Sequence, residues 1–138
     1  MLLAVPWPAV PDVLDPLPDW EGRILVDATN PFVTSNPLKL ADLQGRSASV
    51  VVAEHAPGAR VVKAFNSITM ANFEKRPGQG SARRVLFVSG DDVAAKRTVQ
   101  RLITELGYAA VDLGDLQQGG RTQQPGGPLA GPDFLVNE

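Results

Sequence analysis

An α/β fold with a mainly parallel sheet is what this sequence predicts, and three observations carry the prediction. Apolar runs recur at Leu2 to Val5, Arg23 to Ala28, Arg60 to Phe65, Arg84 to Val88 and Tyr108 to Leu113. They are continuous rather than alternating, as in strands covered on both faces. Helical patterns separate several of them, and parallel strands need a crossover of that kind. At 138 residues the chain has the size of one domain.

Leu2 to Val5 opens the order of elements and is stopped by Pro6-Trp7-Pro8. Ala9 to Leu17 suits a short helix, because Pro8 and Pro11 fall where a missing N–H is tolerated and Pro16 ends it. After Arg23 to Ala28 comes the polar turn Thr29-Asn30-Pro31 and then a loop rich in Pro, Asn and Ser. For Ser47 to Ala56 the triplet Val50-Val51-Val52 favours a strand, whereas Ser47 as N-cap and Pro57-Gly58 as terminator favour a helix. A helix is expected, since the segment links two strands. Beyond the third strand, an apolar turn at Ile68 to Phe73 leads into a charged, glycine-bearing loop over Glu74 to Arg84. Asp91 or Asp92 then caps a helix whose apolar face is Ala95, Val99, Leu102, Ile103 and Leu106, with Gly107 as its stop. Residues 114–138, with Gly119-Gly120, Pro125-Gly126-Gly127-Pro128 and Gly131-Pro132 and no sustained period, are expected to form an irregular tail packed by Leu116, Leu129, Phe134 and Leu135.

Composition narrows the function. A net charge of -2 with scattered Lys and Arg gives no field for nucleic acid or anionic lipid, so neither is expected as a partner. Zero cysteines remove disulfides, thiol catalysis and cysteine metal sites, and point to a cytoplasmic location. His55 is the lone histidine, so a metal site or a serine triad lacks a second member and a surface or capping role is expected. No stretch approaches a membrane span, and the opening residues lack the basic start of a signal peptide.

Ligands of open parallel sheets bind beyond the carboxyl ends of the strands. Those ends are Val5-Pro6-Trp7, Ala28-Thr29-Asn30-Pro31, Ala64-Phe65-Asn66, Ser89-Gly90-Asp91-Asp92 and Leu113-Gly114-Asp115. Trp7 offers a flat stacking surface, Thr29 and Asn30 can bond an amide or ribose, and Asn66 can orient a carbonyl. Each has a plainer reading: Trp7 as a packing aromatic, Asn30-Pro31 as an ordinary turn, and Asp91 and Asp92 as helix caps. Lys63, on the third strand, is either a buried amine or, more commonly, an edge or ion-paired lysine. No glycine-rich phosphate loop joins a strand to a helix, and Gly78-Gln79-Gly80 precedes a strand, the wrong context for one.

The segments Leu3-Ala4-Val5-Pro6-Trp7, Val26-Asp27-Ala28-Thr29-Asn30-Pro31-Phe32, Val61-Val62-Lys63-Ala64-Phe65-Asn66, Val85 to Asp92 and Gly127-Pro128-Leu129-Ala130-Gly131 occur in this order over nearly the whole chain. In wording and spacing the set resembles the NADPH-dependent coenzyme F420 reductases, the deazaflavin-dependent NADP oxidoreductases and their dinucleotide-binding relatives. The resemblance implies a Rossmann-type NAD(P)-binding domain over 1–138, met partway through, with Leu2 to Val5 as the fourth strand. About five strands would be retained, and two βα units and a third strand, on the order of 60 to 70 residues, would precede them. It implies hydride transfer between NADP(H) and a deazaflavin, coenzyme F420, or another acceptor, weakened by the absent phosphate loop. By the same resemblance Val5, Pro6 and Trp7 border the nicotinamide ribose and pyrophosphate, Thr29, Asn30 and Pro31 the nicotinamide side, and Ala64, Phe65 and Asn66 the face where the acceptor stacks. No catalytic proton-transfer residue and no metal is expected.

Two other readings stand beside this one. A non-catalytic interaction or subunit module would be completed by a partner chain, and its first strand invites self-association, or a partner strand, at residues 2–5. A receiver-like regulator would need a further acidic residue and a lysine gathered with Asp91-Asp92, and the sequence does not supply them there.

Overall fold

The computed structural model describes residues 1–137. Along the chain lie β1 (Leu2–Leu3), a 3-10 turn (Trp7–Ala9), α1 (Val10–Leu14), β2 (Ile24–Asp27), β3 (Phe32–Ser35), β4 (Leu38–Leu40) and α2 (Ala48–Glu54). They are followed by β5 (Arg60–Ala64), α3 (Met70–Phe73), β6 (Gly78–Gln79), β7 (Ala82–Gly90), α4 (Val93–Glu105), β8 (Ala109–Asp112), α5 (Gln118–Gln123) and β9 (Leu135–Asn137). The five expected strands are β1, β2, β5, β7 and β8, adjacent in that order. The pairs β1–β2, β2–β5 and β7–β8 are parallel, while β7 runs antiparallel to β5. The α/β class and its largely parallel sheet are as the apolar runs predict. The reversal at β7 follows from its connection, which passes through α3 and the β6–β7 hairpin instead of returning along a crossover helix.

Consecutive side chains of a strand point to opposite faces, and the core divides accordingly. Leu25 and Val61 pack with Leu3, Val10, Leu14, Trp20, Val52 and Ala56 under α1 and α2. Val62, Leu86 and Val88 pack with Ala95, Val99, Ile103 and Tyr108 under α4. Both faces are thus covered, which explains why the strands read as unbroken apolar runs.

The caps explain where the helices begin. Ser47 Oγ accepts the Val50 N–H at 3.1 Å, so the capping signal outweighs the β-branched triplet and the segment is helical. Asp92 caps α4 through the Ala95 N–H at 2.7 Å, whereas Asp91 accepts from Leu116 N. Gly107, at φ +92°, ends that helix in a left-handed conformation glycine adopts freely.

Four expectations are corrected. The loop after Pro31 contains the β3–β4 hairpin, closed by a two-residue Asn36-Pro37 turn. The charged loop after Glu74 forms the short β6–β7 hairpin. On α4 the buried face is Ala95, Lys96, Val99 and Ile103, while Leu102 and Leu106 are 45% and 47% exposed; Lys96 stays near the core because its amine reaches Asp112 at 3.0 Å and the Gly114 carbonyl at 3.1 Å. Residues 114–138 are not irregular throughout, since α5 packs against α2 and β7, and β9 pairs with β7.

Candidate functional site

A row of polar side chains crosses the carboxyl end of the sheet. Asp27, Lys63 and Ser89 are register partners on β2, β5 and β7, and all three are 0% exposed. Where the strands' apolar runs would continue, these groups meet a polar roof: Ser47 and Ser49 from α2, and Gly119, Gly120 and Gln123 from α5. The paired glycines let α5 lie close. A Cβ on Gly119 would fall 2.7 Å from Ser89 Oγ, and one on Gly120 would fall 3.0 Å from Ser47 Oγ.

Burying charge requires partners, and here they are complete. The Asp27 carboxylate accepts from Thr29 N at 2.8 Å, Thr29 Oγ1 at 2.7 Å, Ser49 Oγ at 2.5 Å and Lys63 Nζ at 3.4 Å. Lys63 Nζ also donates to the Thr29 carbonyl at 3.2 Å. The ion pair therefore grips Thr29 by its N–H and by its C=O, fixing the turn that leads to Asn30. Lys63 is ion-paired, the commoner of its two readings, and the pair is wholly buried instead of lying at an edge.

Across the row, Asn66 closes the site from β5. Phe65 holds φ at +66°, a conformation that costs a bulky residue on the order of 1–3 kcal/mol and recurs at functional sites. It ends the strand and leaves Asn66 facing Asn30 and Gln123. Asn66 Nδ2 donates to Asn30 Oδ1 at 3.2 Å and to the Gln123 carbonyl at 2.9 Å.

Beyond this end of the sheet opens a cleft of about 560 Å³. Val5, Pro6 and Trp7 form one wall, Thr29 and Asn30 the floor, and Phe32, Val33 and Leu38 of the hairpin the other wall. None of the side chains lining it is charged. Of the nine residues expected at the site, Val5, Pro6, Trp7, Thr29 and Asn30 meet here. Pro31 and Ala64 are buried, Asn66 is nearly so with its amide spent internally, and half-buried Phe65 packs on the core. Sequence reasoning did not single out the hairpin wall, Ser49 or Gln123, and it named Ser89 only as part of a strand end. The adjacent Gly119-Gly120, four and three residues before Gln123, was the available signal, since paired glycines mark a close approach of backbone.

His55 ends α2 and its Nδ1 lies 2.7 Å from Asp15 Oδ1, a surface and capping role as expected. Among the described residues no group of three His, Asp or Glu side chains could hold a metal ion, and no helix is long and apolar enough to cross a membrane.

No family model matches the sequence. Over 96 residues the chain is 34% identical to the metalloreductase STEAP3 of Rattus norvegicus, covering 69% of this chain and 18% of that protein. Among solved structures it superposes on the hypothetical protein SMa0349 of Sinorhizobium meliloti with a TM-score of 0.92 at 43% identity, over 99% of this chain and 66% of that one. An Arthrobacter sp. FB24 protein carrying the designation F420-dependent NADP-reductase matches with a TM-score of 0.58 at 35% identity, over 69% of this chain and 44% of that one. The chain thus spans only part of the length of each.

Proposed function

We propose that this chain forms the ring-binding half of an NADP(H)-dependent oxidoreductase site, in which a nicotinamide and a hydride acceptor meet over Trp7 and Asn30. The observation that carries the reading is the uncharged cleft at the carboxyl ends of β1 and β2, lined by two aromatic side chains, Trp7 and Phe32, and one amide, Asn30. Such a lining suits a neutral ring and does not suit a phosphate, which needs cations or a ring of backbone N–H groups. The designations of two relatives, an F420-dependent NADP-reductase and a metalloreductase, support reductive chemistry.

NADPH, when bound, supplies the hydride, which leaves its nicotinamide carbon with both bonding electrons and reduces the acceptor. The chain's own part is to orient rings and exclude water. Trp7 stacks, Val5 and Pro6 border the ribose, Thr29 and Asn30 hold the ring edge, and Pro31, Ala64, Phe65 and Asn66 form the rigid support behind it. Coenzyme F420 is the acceptor that the resemblance favours. The zero-cysteine composition suits the reducing cytoplasm, where we place the protein.

Trp7 fluorescence tests the reading. Because these residues carry no phosphate loop, NADPH should quench it only at millimolar levels, more weakly than for the longer Sinorhizobium protein, and Trp7→Phe should abolish the change. Micromolar saturation would show the loop is dispensable, and no quenching at any soluble concentration would end the NADP(H) reading.

A non-catalytic module is the second reading, favoured by β1, which pairs on one side only and leaves Leu2 57% exposed. Such an edge templates another strand. Light scattering should then show a dimer that Leu2→Lys dissociates; Leu3 is unsuitable because it lies in the core. A monomer at high concentration would exclude pairing at residues 2–5.

A further inference from the structure

We infer that Gln123 and Asn66 are positioning residues that fix the polarity of Asn30, so that the cleft presents a hydrogen-bond donor there and selects a ring bearing a carbonyl-type acceptor. The inference deepens the nicotinamide reading and rests on it only for the identity of the ring.

Backbone carbonyls can only accept, and they settle each amide in turn. Gln123 is wholly buried, and its Nε2 reaches the carbonyl oxygens of Lys63 at 3.4 Å and Phe87 at 3.3 Å. Its Oε1 receives the Ser89 hydroxyl at 2.5 Å. Strands β5 and β7 thereby set which end of the Gln123 amide is nitrogen. Asn66 is read next, by the Gln123 side chain and backbone together. Its Oδ1 accepts from Gln123 Nε2 at 2.9 Å, and its Nδ2 donates to the Gln123 carbonyl at 2.9 Å.

The second Nδ2 hydrogen of Asn66 goes to Asn30 Oδ1 at 3.2 Å, and Asn30 Nδ2 lies 3.4 Å from the Asn66 carbonyl. Turning the Asn30 amide over would set nitrogen against nitrogen and oxygen against oxygen. A mismatch of that kind at this part-buried pair loses both bonds and sets like partial charges together. Asn66 has then used both of its amide hydrogens. Asn30 has used one, and it lines the cleft. The remaining N–H is the donor offered to a ligand, and a ring carbonyl or carboxamide oxygen is the group that complements it.

The test compares NADP+ with its thionicotinamide analogue, whose sulfur is a poor acceptor, and with 2′-phospho-ADP-ribose, which has no ring. Wild type should prefer NADP+ over the thio analogue several-fold. Asn30→Asp, isosteric and without a donor, should erase that preference and lower NADP+ affinity about tenfold, an ordinary cost for one lost hydrogen bond at a site; affinity for 2′-phospho-ADP-ribose should not change. Gln123→Met should erase the preference with Asn30 intact, an effect that loss of stability alone does not produce. Should that variant not fold, Asn30→Asp and hydrogen exchange decide. In ligand-free wild type the Asn30 and Asn66 side-chain amides should exchange more slowly than that of exposed Asn36. Equal exchange, or an unchanged preference in Asn30→Asp, overturns the inference. If none of the three nucleotides binds wild type while the slow exchange is present, the nicotinamide reading fails and the fixed polarity of Asn30 stands.

Discussion

The two sides of the cleft are built on opposite principles. Behind Thr29 and Asn30, the row Asp27, Lys63 and Ser89 is sealed from water and every polar group has a named partner. Opposite it, the β3–β4 hairpin holds its ends by pairing and by bonds such as Thr34 Oγ1 to the Pro37 carbonyl at 2.7 Å. The hairpin leaves Val33, Leu38 and Leu40 largely exposed. The floor is therefore a preformed surface whose geometry depends on burial, while the hairpin wall contributes apolar area and little to the stability of the fold. A ligand would be oriented by the first and covered by the second.

Breaking the floor should have the largest effect. Lys63→Met leaves the Asp27 carboxylate buried without its cation and should cost about 3–5 kcal/mol, the usual penalty for removing one partner of a buried pair. Urea denaturation measures it, and a loss below about 1 kcal/mol would mean that water reaches Asp27. Next comes the seat of α5. Gly119→Val places side-chain carbon against Ser89 and the Leu113 carbonyl, so about 1–3 kcal/mol should be lost. The Gln123 contacts should loosen with it, visible as faster exchange at the Asn66 side-chain amide. On the hairpin, Leu38→Ser removes a side chain that is 66% exposed, and stability should change by no more than about 0.5 kcal/mol while ligand affinity falls.

The smallest expected effect lies away from the cleft, where the Ala95 N–H, and after it the Arg60 guanidinium, hold the Asp92 carboxyl below its ordinary value. A depressed carboxyl adds stability above its unfolded pKa, and that stability is lost as the pH falls through the folded pKa. Asp92→Asn keeps the cap, so it should reduce only the acid-side slope of stability, leaving the neutral-pH value nearly unchanged. An identical slope in both proteins would remove Asp92 from the account.

Much of this was legible in the sequence, for physical reasons that differ by region. Strands covered on both faces announce themselves as apolar runs, and Ser47, Asp92 and Gly107 mark helix boundaries through local bonds that need no tertiary knowledge. The turn at Thr29-Asn30 and the place of Trp7 followed from where strands end. The hairpin escaped because Asn36-Pro37 carries no hairpin turn signal and its strands are exposed, so nothing in their pattern alternates. Helix α5 escaped for the opposite reason. Its two glycines and flanking glutamines read as loop, and what makes it a helix is the Ser47, Lys63 and Ser89 surface it lies on, which is assembled from segments distant in sequence. The reversal of β7 was likewise hidden, because a strand's direction depends on the path between strands rather than on the strand.

The two indoles offer the most direct test of the central claim, that the uncharged cleft beyond β1 and β2 receives the nicotinamide ring. Trp7 lines the cleft, and Trp20 is buried in the core beneath α1 and α2. In a nitrogen-15 NMR titration with NADPH, the account predicts that the Trp7 indole N–H and the Asn30 side-chain amide shift together, with one dissociation constant, while the Trp20 indole stays in place. Shifts confined to the outer face of α4, or equal movement of both indoles, would contradict it.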